Sequence, residues 1–424
     1  MQQHQHIESF LRFESLAVPM ARLLTVAWTE PGTCDLGAMT QAIDAHVQRH
    51  DTYASRFVVL DDGRIERRVI DDRTAIHFEA IPRGEMAWEE WRESLLDTPG
   101  PLEWDCFRFH VVQYDDSFTV CACLDHLNGD GTFMIQVFAD IHDTYRAVVE
   151  GEAPPVLAPT ASYLSYCERQ AATVRALTRE SDEVRGWAEF LRPADPAAVV
   201  SLPVGEVVDA TATTLSSHPL MDATEAEEFH RACVASGSRL IGGVLGLVAQ
   251  AWTDLSGASF FRAITPMTNL DDHERRLYLG WFVSIVPVAF PVARHALVES
   301  MVAAQATYTR SRPLAAVPPG AVAAILADDG PIDVAHWTVP MISVGDFTRT
   351  SLTSGNRARW QAHDGLVMLT EGAANQVGLW INRNASGITV TTAFPDTPEA
   401  RDTRDHLVHR MAELSRSVAM PVAG

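Results

Sequence analysis

The chain has 424 residues and carries 55 acidic side chains against 33 basic ones, a formal net charge of −22. Every one of those 33 basic residues is arginine, so pyridoxal-phosphate, Schiff-base and P-loop chemistries, each of which needs a lysine, are excluded. The anionic excess also argues against nucleic acid as a partner and against a polybasic membrane anchor.

Hydrophobic residues make up 47% and charged residues 21%, the composition of a globular protein with a sizeable core. The length implies two domains or one two-lobed unit. Six cysteines (Cys34, Cys106, Cys121, Cys123, Cys167 and Cys233) lie sparsely in apolar contexts, which fits a reduced, cytoplasmic protein. No basic region followed by an apolar run opens the chain, and no apolar stretch is long enough to span a bilayer. His4 and His6 are expected to be solvated at a frayed terminus.

In chain order, Asp35 is placed to cap a helix with Leu36, Met39, Ile43 and Val47 on one face. Two strand-like runs, 55–60 and 65–70, flank Asp62-Gly63 and read as a hairpin. The β-rich run 118–124 leads into a polar loop, Asp125-His126-Leu127-Asn128-Gly129-Asp130-Gly131, and Thr132 opens a helix carrying Phe133, Val137, Ile141, Tyr145 and Val148 on one face. The Pro-rich stretch 151–159 reads as a connection, with polar helical sequence following to about 190. Residues 192–205 read as irregular and separate the two halves. Beyond them we expect helices at 223–235, 239–255 and 398–418, and strands at 260–266, 281–290, 377–381 and 388–393. Gly242, Gly243 and Gly246 interrupt an apolar helix and indicate close helix packing, since no strand precedes them as a dinucleotide fingerprint requires. Both halves read α+β.

The polar loop at 125–131 is the sharpest chemical feature. A histidine with a near-neutral pKa between a strand and a helix suits general-base work. Glycine permits a turn there that a side chain would block, although on composition alone a capped strand-to-helix loop explains the same residues. No serine nucleophile elbow is present. Cys121, Cys123 and His126 lack a second ligand pair, so buried apolar cysteines are the better reading and no metal is expected.

The loop resembles the HHxxxDG motif of the condensation-domain and chloramphenicol-acetyltransferase-like superfamily. Residues 42–57 (AIDAHVQRHDTYASRF) are similar to that family's early helix, and 264–288, with Thr265-Pro266 and LGWFVSIVP, to its later TP…GxF…P segment. Further blocks, among them DTPGPLEWDCFRF (97–109), SYLSYCERQ (162–170) and FPDTPEAR (394–401), are similar to the polyketide-synthase-associated acyltransferases of mycobacteria that act on trehalose glycolipids. The resemblance spans nearly the whole chain. It implies two chloramphenicol-acetyltransferase-like lobes (1–175 and 176–424) in a V-shaped pseudo-dimer, with the active site at their interface. It implies an acyltransferase that moves an acyl group from a coenzyme A or carrier-protein thioester to a small hydroxyl acceptor, trehalose or a derivative, with no resident cofactor. His126 matches the family's catalytic residue, while Asp130, Gly131 and Asp125 support its loop.

Asp125 stands where the motif has its first histidine and, as its neighbour in an extended segment, is not expected to orient His126. Asn269 stands where the family commonly has an arginine, so a substitute partner for Asp130, such as Arg262, is expected. Thr265, Trp281, Ser284, Arg275 and Arg276 are candidate substrate-binding residues, and Arg275/Arg276 or Arg357/Arg359 are candidates for an anionic donor's mouth. Trp281 and Trp380 also read as core aromatics. A free-standing condensation enzyme of peptide synthesis and a non-catalytic docking domain of the same fold are the rival readings. A monomer is expected, with peripheral membrane contact left open.

Overall fold

Asp35 caps a helix as the sequence predicts: its carboxylate accepts from the Ala38 amide at 3.0 Å, and Met39, Ala42, Ile43 and Val47 form the buried face. The computed structural model describes residues 2–72, 76, 86–131, 133–155, 160–192, 201–206, 211–268, 278–330, 339–348, 353–369, 372 and 377–419. The first half runs α1 (Gln2–Ser15), β1 (Leu23–Pro31), α2 (Leu36–Arg49), β2 (Ser55–Val59), β3 (Ile65–Val69), α3 (Trp88–Leu96), β4 (Phe107–Gln113), β5 (Ser117–Asp125), α4 (Phe133–Val149), α5 (Tyr163–Ala176) and α6 (Asp182–Leu191). The second half runs β6 (Thr213–Asp222), α7 (Ala223–Ala235), α8 (Leu240–Ser256), β7 (Phe260–Thr268), β8 (Val283–Pro291), α9 (Leu297–Ser311), α10 (Pro319–Ile325), β9 (Met341–Asp346), α11 (Thr353–Ala362), β10 (Leu366–Leu369), β11 (Gly378–Asn384), β12 (Gly387–Pro395) and α12 (Pro398–Ala419).

The fold is α+β, with two main sheets and a core against each. The first sheet has the order β10-β1-β5-β4, with antiparallel pairings throughout. Helices α2 and α4 cover it, burying Val26, Trp28, Ile43, Val120, Phe138 and Ile141. The second has the order β6-β12-β11-β9-β7-β8. Its core is built on α8, where Leu245, Leu247 and Val248 are fully buried, each contributing roughly 1.5–3 kcal/mol. A Cβ on Gly246 would lie 2.6 Å from the Met301 backbone of α9, so the glycines of α8 serve helix contact. Among the described residues, no single helix is long and apolar enough to cross a membrane.

Four expectations change. The N-terminus is not frayed: α1 packs Ile7 against Leu127 and Phe57. The helical run to 190 is two helices, because Leu177 and the turn before Ser181 break it. The strand expected from 281 begins at Val283, leaving Trp281 in the preceding loop. The division at residue 175 is not a clean cut: β10, which falls in the second half, pairs with β1 of the first sheet. Parts of the connections at 151–159 and 192–205, and Thr132 as a helix start, lie outside the described residues.

Candidate active site

Strand β5 delivers the site. Pairing of Asp125 with Leu23 ends the strand beside β1, and a short 3-10 turn, His126–Asn128, follows. The His126 amide donates to the Arg22 carbonyl at 2.8 Å, which holds the turn against the start of β1. Asp125 is fully buried and caps the turn, accepting from the Leu127 amide at 2.9 Å. Its other oxygen takes the Arg22 guanidinium at 2.7 Å, and His6 of α1 lies 2.9 Å away. Burial alone would push the Asp125 carboxyl up, but His6, Arg22 and the Leu127 amide outweigh it and hold the group below the usual carboxylate range. Asp125 therefore binds Arg22, His6 and the Leu127 amide beside His126, but not the His126 ring. Gln3 of α1 adds a hydrogen bond to the Leu127 carbonyl at 3.1 Å and another to the Tyr163 hydroxyl.

The His126 ring is mostly buried. Its Nδ1 is buried and has no hydrogen-bond partner among the described residues, which leaves Nε2 as the nitrogen available to a substrate. Burial, followed by the charge of His6, lowers its pKa from 6.5 to about 4, against smaller opposing effects of the backbone and Asp125. The ring is thus neutral, with a free lone pair, at any pH above about 5.

Trp281 closes the site from the second half of the chain. Its ring centroid lies 4.4 Å from that of His126 and 5.4 Å from that of His6. Gly280 makes this possible: its φ is +154°, and a Cβ there would lie 2.5 Å from the Tyr163 ring. The adjacent Phe282 packs against Tyr163, Tyr166 and Tyr278. Asp130, also buried, accepts from the amides of Phe282 (3.1 Å) and Val283 (3.2 Å). The loop carrying His126 and the loop carrying Trp281 are therefore bolted together through one carboxylate.

A condensation-domain family model matches residues 22–335. The chain belongs to the condensation-domain family. It is 31% identical to acyltransferase PapA3 of Mycobacterium tuberculosis over 422 residues, covering 99% of this chain and 88% of that protein. It is 37% identical over 322 residues to 2'-acyl-2-O-sulfo-trehalose (hydroxy)phthioceranyltransferase PapA1 of the same organism, covering 74% of this chain and 62% of that one. Among solved structures, a PapA2 acyl transferase superposes with a TM-score of 0.87 at 31% identity, covering 99% of this chain and 91% of that one. The X-domain from teicoplanin biosynthesis matches at TM-score 0.75 and 18% identity, covering 99% and 95%, a likeness of fold. This condensation-family chain is an acyltransferase.

The remaining sequence candidates fall into place unevenly. Thr265 is fully buried in β7 and donates to the Ile342 carbonyl of β9 at 2.6 Å, so it stitches the second sheet. Ser284 is buried in β8 opposite Met267. Arg275, Arg276 and Asn269 lie outside the described residues, as does the side chain of Arg357. Arg359 pairs with Asp143. Arg262 is not the partner of Asp130: it donates to the Phe190 carbonyl and lies over the Phe190 ring, because β7 directs it toward α6. Gly131 has an ordinary φ, and a Cβ there would meet no described atom, so the glycine is not required by a left-handed turn. Trp380 is half-buried in β11.

The residues missed by sequence reasoning are Gln3, His6 and Arg22. The signal was present for two of them: positions 3, 6, 7, 10 and 13 fall on one helical face, so polar Gln3 and His6 stand among apolar neighbours.

Proposed function

We propose that this acyltransferase moves an acyl group from a coenzyme A or carrier-protein thioester to a hydroxyl of a sugar acceptor, trehalose or a trehalose-derived glycolipid, with His126 as general base. The observation that carries the chemistry is the neutral, unencumbered Nε2 of His126 at the contact between the two halves of the chain. Nε2 takes the acceptor's hydroxyl proton as its oxygen attacks the thioester carbonyl. The tetrahedral intermediate collapses, the carbon–sulfur bond breaks, and the proton passes from Nε2 to the thiolate. Base catalysis of this kind contributes ~100- to 10,000-fold. The rest comes from holding both substrates in register and stabilising the oxyanion.

The acceptor class is supported by the names of PapA1 and of the trehalose-2-sulfate acyltransferase PapA2, which is 32% identical over 97% of this chain. Trp281 supports it physically, as an indole face beside the base where a sugar ring can stack. The test is mass-spectrometric product analysis with a long-chain acyl-CoA and trehalose, using wild type and His126→Ala. An acylated sugar from wild type alone is expected. Equal product from both proteins would remove His126 as base. An amide formed with an amine acceptor, and no ester, would move the chain to peptide-type condensation.

A further inference from the structure

Away from the acyl-transfer site, the structure brings together Glu30 of β1, His142 of α4 and His363, which follows α11. One ring nitrogen from each histidine and one carboxylate oxygen of Glu30 all lie within 4.8 Å of one another. Glu30 is 1% exposed and His142 7%. His142 Nδ1 lies 2.5 Å from Glu30 Oε1, and the two imidazole centroids are 4.6 Å apart. Two histidines and one carboxylate form a donor set suited to a divalent transition metal, zinc above all.

Three further observations point to a ligand. Glu30 Oε2 is buried and makes no hydrogen bond among the described residues; His363 Nδ1 lies 3.5 Å from it. No arginine pairs with Glu30 among the described residues, so an incoming cation would meet no resident guanidinium there. His363 Nδ1 also lies 2.9 Å from the Thr29 carbonyl; with Nδ1–H braced on that carbonyl, Nε2 is the ring nitrogen left to ligate. Phe138 stacks on His142 at 4.9 Å and supplies an apolar wall. His363 keeps 25% of its side chain exposed, which gives an ion a way in.

A second cluster of similar composition, His46, His50 and Asp140, is a contrast. There the carboxylate already holds the Arg49 guanidinium and the Gln136 amide, so an incoming cation would meet a resident one.

We infer that Glu30, His142 and His363 bind one divalent transition-metal ion, zinc by donor chemistry, which fastens the segment 353–369 to the first sheet. A Glu carboxylate and two neutral imidazoles leave a Zn2+ site with net charge +1 and room for water as the fourth ligand. The three ligands come from points 112 and 221 positions apart in the chain, so no local spacing announces the site, and the expectation of no metal had nothing to detect.

The test is titration of chelator-treated protein with Co2+ alone, followed by visible absorption and thermal unfolding. One equivalent is expected to bind with d–d bands and to raise the unfolding midpoint by about 3 °C or more at saturating ion. His363→Ala, at the most exposed ligand, and Glu30→Gln should lose the bands and the shift, while His50→Ala keeps both. No stoichiometric binding by wild type, or an unchanged spectrum in His363→Ala, would overturn the proposal. Neither readout depends on the acyl donor or acceptor, so it stands or falls apart from the proposed reaction.

Discussion

Two buried carboxylates, Asp125 and Asp140, are built from nearly the same parts and used in opposite ways. Each is held by an arginine, Arg22 or Arg49, and each has histidine partners. Asp140 of α4 binds both neighbouring rings directly, His46 at 3.0 Å and His50 at 2.7 Å, and His46 passes the chain on to the Tyr53 hydroxyl at 3.0 Å. Asp125 binds a ring from a distant helix and the backbone of its own turn, and leaves the histidine next to it untouched. The first arrangement uses histidines as struts. The second keeps one histidine free to do chemistry and fixes its position through the main chain.

The largest expected effect separates these roles. His126→Ala should lower product formation by ~100- to 10,000-fold with little change in thermal stability, because among the described residues no side-chain hydrogen bond passes through that ring. Asp140→Ala should do the reverse. It strands Arg49, His46 and His50 in the interior, and urea unfolding should show a loss of about 3–5 kcal/mol.

Acid sharpens the comparison further. Burial, the largest cause, lowers the pKa of His50 from 6.5 to about 4, as it does that of His126. Between pH 4 and 6.5 the unfolded chain binds protons on these rings that the folded chain refuses. Stability therefore rises with pH through that window and is lost on acidification, by on the order of 3 kcal/mol for each ring. His50→Gln should flatten the dependence in a urea-denaturation series across that range.

Asp125→Asn keeps the shape and removes the charge facing Arg22 and His6. A cost of about 1–3 kcal/mol is expected, with a fall in kcat as the turn loosens, read from parallel unfolding and steady-state assays. The smallest effect is electrostatic. His6→Leu removes a charge that depresses the His126 pKa, so the acid limb of the kcat/KM profile should move upward from about pH 4. An unmoved limb would separate His6 from the base.

The elements legible in the sequence were those with a local signature. Asp35 announced α2, Asp62-Gly63 the hairpin, and the polar loop at 125–131 the candidate site. What stayed hidden depends on distance. Asp130 finds amides at 282 and 283, more than 150 positions away. Asp125 draws Arg22 from 103 positions away and His6 from 119. Helix α1 was misread because a terminal segment with two histidines and several glutamines looks solvated until something exists for its polar face to bind. Thr265 and Ser284 share a segment with Trp281 but lie in strands of the second sheet, so the resemblance located the segment without separating frame from site.

Strand β1 is nine residues long and almost wholly buried, and one of its two flanks is covered by β10 from late in the chain. Were the polypeptide cut after its first half, that flank would lie bare, an apolar ribbon of unpaired amides and carbonyls of the kind that recruits other strands. The late segment is in this sense a hem sewn along the edge of the first sheet. During synthesis the first sheet stays unfinished until residues 366–369 have emerged, so over that interval the nascent chain is at its most exposed to self-association.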